Sequence, residues 1–265
     1  MLRSLKSIEH YKLSATDGEL GRVVDFLLDD ERWAVRYLVA ETKSLLTDRK
    51  VLISPVFFRQ SDWSDRRFRL ALTKEKIEQS PNIDADKPVS RQHERSYYGY
   101  YGYPYYWGYP GLWGYGGSPS LLAPGSMNAV LDEHSDGKSN DVHLRSAKEM
   151  RGYHLQGSDG EIGHVIELFV DEETWQVRYL AIDAGSWLFG KKVLIAPQWA
   201  KRISWDERKV YLDLSRQQIK NSPAWNGTEI IDREYESRLH KHYGHPAYWD
   251  DLHHPGALGT SSPAH

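Results

Sequence analysis

Apolar and polar positions alternate along this chain in short runs, and the runs recur. Leu20-Gly21-Arg22-Val23-Val24-Asp25-Phe26-Leu27-Leu28 and Ile162 to Val170 are apolar and β-branched. Each follows an Asp-Gly pair, Asp17-Gly18 and Asp159-Gly160, where glycine accepts the positive φ of a tight hairpin. The polar run Asp29-Asp30-Glu31 breaks the first of these strands, and Trp33 to Ala40 reads as the next. Val51-Leu52-Ile53 is a short buried strand that Pro55 ends, because proline brings no N–H to a ladder. Phe68-Arg69-Leu70-Ala71-Leu72 alternates with period two, as a half-buried strand does. A helical turn follows in each half. Ser215-Arg216-Gln217-Gln218 fits a capping box, Thr73 is a simpler cap, and Pro81 and Pro223 are stops. Short strands at this spacing predict a small antiparallel barrel or sandwich.

The pattern occurs twice. An offset of 142 residues places Leu2-Arg3-Ser4 on Leu144-Arg145-Ser146 and Asp17-Gly18-Glu19 on Asp159-Gly160-Glu161. The same offset places Trp33 and Val35-Arg36-Tyr37-Leu38 on Trp175 and Val177-Arg178-Tyr179-Leu180, and Lys50-Val51-Leu52-Ile53 on Lys192-Val193-Leu194-Ile195. Pro104 and Trp107 still match Pro246 and Trp249. This is one domain duplicated, not a short-period solenoid. The division that follows is residues 1–81, an aromatic arm over 82–107, a Gly/Pro/Ser-rich linker over 108–142, residues 143–223, and a helical arm with a His-rich tail over 224–265. Ile231, Tyr235, Leu239 and Tyr243 recur every fourth residue, which predicts a helix in the second arm.

The order Leu-Arg-Ser, Asp-Gly-Glu-x-Gly-x-Val, an acidic turn, Val-Arg-Tyr-Leu, Lys-Val-Leu-Ile-x-Pro and a Trp-bearing hairpin resembles the PRC-barrel family. That family includes the cytoplasmic domain of the photosynthetic reaction-centre H subunit and the C-terminal domain of a ribosome maturation factor. The resemblance implies a mainly β chain of two tandem, small antiparallel barrels, each followed by a helix or arm. It implies a binding and assembly module tied to electron-transfer complexes, not an enzyme. The alternatives are a peripheral membrane or stress-associated adaptor and an RNA-processing factor. The membrane-spanning helix of the H subunit has no counterpart here.

Chemistry in the sequence agrees with a binding role. Lys and Arg number 34 against 37 Asp and Glu, which is not the footprint of a DNA binder. With no cysteine there is no thiol nucleophile or Cys-based zinc site. The Gly157-x-x-Gly160-x-x-Gly163 run precedes a strand, so no helix N-terminus cradles a phosphate. Gly137-Lys138-Ser139 ends like a P-loop, but Asp132 stands where the pattern needs glycine. We expect no catalytic residues, no metal site and no cofactor. His240, His242, His245, His253 and His254 read as a solvated tail. The first twenty residues lack the apolar core of a signal peptide, which predicts a cytoplasmic protein, with peripheral membrane contact open.

Partner binding has two candidate sources. From Tyr97 to Leu131 the chain is uncharged and rich in Tyr, Gly and Pro, a composition no spanning helix tolerates. It reads as an arm packed on its barrel followed by a linker, as an aromatic protein-binding patch, or as a membrane-surface contact. On the binding reading, Tyr98, Tyr101, Tyr105, Tyr106 and Trp107 are the anchors. Arg36 and Arg178 oppose Val35/Tyr37 and Val177/Tyr179 by strand alternation. Arg36 either pairs with Asp29 or Glu41 on the barrel surface or contacts a partner. The expected partner is a protein, with homo-oligomerisation or pairing of the two barrels within the chain as further arrangements.

Overall fold

In the computed structural model, the described residues are 1–43, 48–59, 63–81, 89–122, 124, 143–227 and 230–250. The protein is mainly β, with two sheets and few helices. The first half carries β1 (Leu2–Ser4), α1 (Leu5–Ile8), β2 (Lys12–Ala15), β3 (Gly18–Asp29), β4 (Val35–Lys43), β5 (Asp48–Ile53), β6 (Arg67–Arg69), α2 (Lys74–Glu78) and α3 (Arg91–Tyr101). The second carries β7 (Leu144–Ser146), α4 (Ala147–Met150), β8 (His154–Gly157), β9 (Gly160–Asp171), β10 (Val177–Asp183), β11 (Lys192–Ile195), β12 (Ala200–Ser204), β13 (Lys209–Leu212), α5 (Arg216–Asn221) and α6 (Arg233–Tyr243). The 142-residue correspondence holds to the ends of the arm helices, α3 falling on α6.

Local chemistry sets these boundaries. The Ser215 capping box and the Thr73 cap form as expected. Ser90 and Asp232 cap α3 and α6, and Gly102 and Gly244 end them at φ 71° and 69°.

Two expectations are corrected. The sheets are mixed, because β6 runs parallel to β2 and β13 parallel to β8. Long intervening segments separate β2 from β6 and β8 from β13 in the chain, so no tight hairpin forces antiparallel pairing within either pair. Among the described residues the strand orders, β5-β4-β3-β2-β6 and β11-β10-β9-β8-β13-β12, run as open paths in which no closed barrel is traced.

The halves are joined by exchange. β1 pairs with β9 of the second half, and β7 pairs with β3 of the first. Side chains repeat the reciprocity. Ser4 Oγ donates to Glu167 at 2.8 Å as Ser146 Oγ donates to Asp25 at 2.6 Å, and Arg3 reaches Glu172 as Arg145 reaches Asp30. Glu9 and Arg151, one position of the repeat with opposite charges, meet each other. At the centre, Val35 N–H donates to the Trp175 carbonyl and Val177 N–H to that of Trp33. Both tryptophans hold left-handed φ, 57° and 58°, costly for bulky residues and sustained here by these crossed bonds. One apolar cluster runs through both halves.

Candidate interaction site

The arm helices build the site. On α3, Tyr97 lies edge-on to Tyr37 at 5.2 Å, and its hydroxyl donates to the Leu52 carbonyl. Tyr101 packs on Phe57 at 4.5 Å. Beneath the helix, Glu94 is fully buried and accepts from Tyr37 at 2.9 Å, Tyr106 at 2.7 Å and Arg91 at 3.2 Å, with the His143 ring 2.9 Å away. Burial and the neighbouring carboxylate push the Tyr37 hydroxyl far above its ordinary range, so it remains a donor.

Arg36 is the centre of the cluster. Strand alternation does put it opposite Val35 and Tyr37, but it is fully buried, not on the surface. Its Nε pairs with Asp29, and Nη1 donates to the Leu112 carbonyl at 2.7 Å. Tyr106 covers the guanidinium at 3.8 Å, and Trp113 stands 4.7 Å away. Glu41 instead pairs with Arg22.

The segment following the arm therefore departs from the linker expectation over its described part. Trp113 is fully buried, and its indole N–H donates to the Thr174 carbonyl of the other half at 2.7 Å. Arg32 donates to the Tyr109 carbonyl at 2.7 Å. Glycines allow this packing: a Cβ on Gly111 would sit 2.4 Å from the Gly114 carbonyl oxygen. The rest of the expected linker, including Lys138, lies outside the described residues.

The proposed anchors are thus largely spent within the chain. Tyr98, Tyr101 and Tyr106 are buried, while Tyr105 and Trp107, half-buried, stack on each other at 4.5 Å. The sequence reading missed Glu94, Glu236, His143 and Trp113. Glu94 and Glu236 were traceable, because they match at the repeat offset together with Arg91/Arg233 and Tyr106/Tyr248.

The second half rebuilds the cluster with changes. Glu236 accepts from Tyr248 at 2.8 Å and Tyr179 at 3.1 Å, and Arg233 lies 3.2 Å away. Burial raises the Glu236 pKa against the lowering pull of these partners. His240 stands where Tyr98 stands in the first half. It is buried, with Nδ1 2.8 Å from the Pro246 carbonyl and Nε2 2.9 Å from the Tyr179 hydroxyl. His245 stacks on Trp199. The solvated-tail expectation fails for both, because the chain folds back under α6. His253 and His254 lie outside the described residues. Among the described residues no group of side chains is arranged to hold a metal ion, and no helix is long and apolar enough to cross a membrane.

Burial lowers the His240 pKa below its ordinary 6.5. As pH falls through about 6.5 the unfolded chain takes up this proton first, so stability falls. Melting curves of the wild type between about pH 7.5 and 5.5 should therefore drop further than those of His240→Asn. An equal drop in both would show that His240 is not the group responsible.

Comparison with known proteins adds the class. Residues 144–219 match the PRC-barrel domain family. An uncharacterised protein of Deinococcus radiodurans is 29% identical over 96 residues, covering 36% of this chain and 33% of the relative. The aligned stretch therefore spans about a third of that relative's length. The family match falls on the second half, from β7 into α5.

Proposed function

We propose that the protein is a non-enzymatic module of two PRC-type units that binds a protein partner. The PRC-barrel match of residues 144–219 supports an interaction and assembly role. The observation that carries the reading further is an uncharged aromatic cavity of about 310 Å³, formed by Pro104, Tyr105, Tyr109, Tyr115, Leu121 and Leu122 with neighbouring glycines. Tyr115 and Leu121 are 64% and 71% exposed, which is unusual for large apolar side chains on so folded a segment. Aromatic rings that give area at low rotamer cost suit protein contact. At the centre of each buried cluster a glutamate, Glu94 or Glu236, is engaged by the tyrosines around it, which suits support rather than chemistry. The tie to electron-transfer complexes rests on the family resemblance.

The test is a Tyr115→Ser/Leu121→Ser variant, assayed by co-fractionation from native lysate and by melting. The expected result is lost association with an unchanged melting temperature. Unchanged association would overturn the assignment of this cavity. Serine at Tyr98 or Tyr106 tests something else, and there we expect destabilisation of about 3 kcal/mol or more, since both rings are buried.

A further inference from the structure

The two arginine–tyrosine stacks differ in one respect that bears on recognition. Arg36 is closed in by Asp29, the Leu112 carbonyl, Tyr106 and Trp113, which engage its Nε and Nη1 and leave Nη2 without a hydrogen bond among the described residues. At the equivalent Arg178 the tyrosine is repeated, with Tyr248 at 3.9 Å. The acceptors are not. Among the described residues, Arg178 Nε is buried and has no hydrogen-bond partner. Asp171 Oδ1 accepts from the Glu173 and Thr174 N–H groups at 2.9 and 3.0 Å, as Asp29 Oδ1 accepts from that of Arg32, but among the described residues Asp171 forms no ion pair with Arg178 as Asp29 does with Arg36. Gln176, at the position of Ala34, already donates to the Arg32 carbonyl, the counterpart of the Thr174 carbonyl that Trp113 uses. Arg178 as a whole residue is partly exposed, whereas Arg36 is fully buried.

A fixed guanidinium short of acceptors recruits a carbonyl oxygen, and its planar face recruits an aromatic ring. The chain displays a segment of that chemistry on Arg36, where the Leu112 carbonyl and the Trp113 ring arrive together. We propose that Arg178 is an open peptide-binding site whose ligand is an extended partner segment presenting a backbone carbonyl beside a tryptophan. The site lies in the second half, apart from the Tyr115 cavity, and deepens the reading of the chain as a binding module. Burial also lowers the Arg178 pKa from its ordinary value, as expected of a guanidinium with too few acceptors.

The probe is a fluorescently labelled peptide with the sequence of Tyr109–Ser118, titrated into the full chain. Arg36 stays occupied by its own tethered segment, whose effective concentration is of millimolar order. The expected result is saturable binding with Kd at or below about 1 mM. Arg178→Gln and Arg178→Lys should each weaken it by about tenfold or more, the lysine failing because it lacks the planar fork. A peptide with alanine in place of tryptophan should bind as poorly to the wild type, a comparison that requires no protein variant to fold. No binding at about 1 mM, or equal binding by the Arg178 variants or the alanine peptide, would overturn the proposal. Either failure leaves the Tyr115/Leu121 result standing, so the two readings fall separately.

Discussion

Removing residues 1–4 is expected to loosen the second half of the protein more than the first. Although β1 belongs to the first copy in sequence, its ladder partners are Asp171, Val170 and Phe169. The deletion also takes away the Arg3–Glu172 pair at 2.8 Å and the Ser4 donor to Glu167. Glu167 is buried, and burial already raises its pKa. Stripped of the serine, it keeps the Leu168 and Lys6 N–H groups. Losing a three-residue ladder and two polar contacts, with one carboxylate left under-satisfied, should cost about 3 kcal/mol or more. Hydrogen exchange locates the effect. Protection should fall first at residues 169–171 of β9, while residues 27–29 of β3, paired with β7, hold longer. Loss confined to β3 and its neighbours would mean that the exchanged strand is not a structural part of the other half.

Alanine at Gly21 or Gly163 is expected to be among the most damaging single changes in the chain. A Cβ on Gly21 would stand 1.9 Å from the Glu41 carbonyl oxygen, and on Gly163 1.9 Å from that of Asp183. Both obstacles are backbone in the adjacent strand, so neither can swing aside. Gly163 also holds a φ of 157°, which alanine rarely adopts. Each substitution should therefore cost about 3 kcal/mol or more, through separation of β3 from β4 or β9 from β10. Gly99→Ala is the control. It lies within α3 with nothing within 4 Å of its Cβ, so alanine there should be neutral or stabilise by up to about 1 kcal/mol. Chemical denaturation of the three variants separates the cases, and comparable stability for all three would refute the close-approach argument.

The strands of each half were legible in the chain because their signals are local. Period-two alternation, Asp-Gly turns and the Ser215 and Thr73 caps each act over a few residues, and most elements formed at their patterns, although the strand expected over Phe68–Leu72 is only Arg67–Arg69 and the one expected from Trp33 begins at Val35. The duplication was legible for the same reason, down to the Arg-Tyr pairs at 36–37 and 178–179. Side-chain alternation correctly set Arg36 opposite its neighbours. It could not say that this face is covered, because the cover, Leu112 and Trp113, comes from a Gly- and Pro-rich stretch with no periodicity. Glycine content there reads as a linker, whereas the structure uses it for close backbone approach around a buried tryptophan. Likewise, the matching Leu-Arg-Ser triplets betray repetition but not exchange. A three-residue strand pairs equally well, by its own pattern, with either copy of a duplicated sheet. The choice is made by groups far apart in sequence: Ser4 and Glu167, Ser146 and Asp25, and Glu9 and Arg151. Sequence alone determined the elements, the repeat and the composition of the aromatic arm. Tertiary structure decided which half each edge strand completes and which aromatic side chains are buried, because both depend on long-range packing and on satisfying buried carboxylates and guanidinium groups.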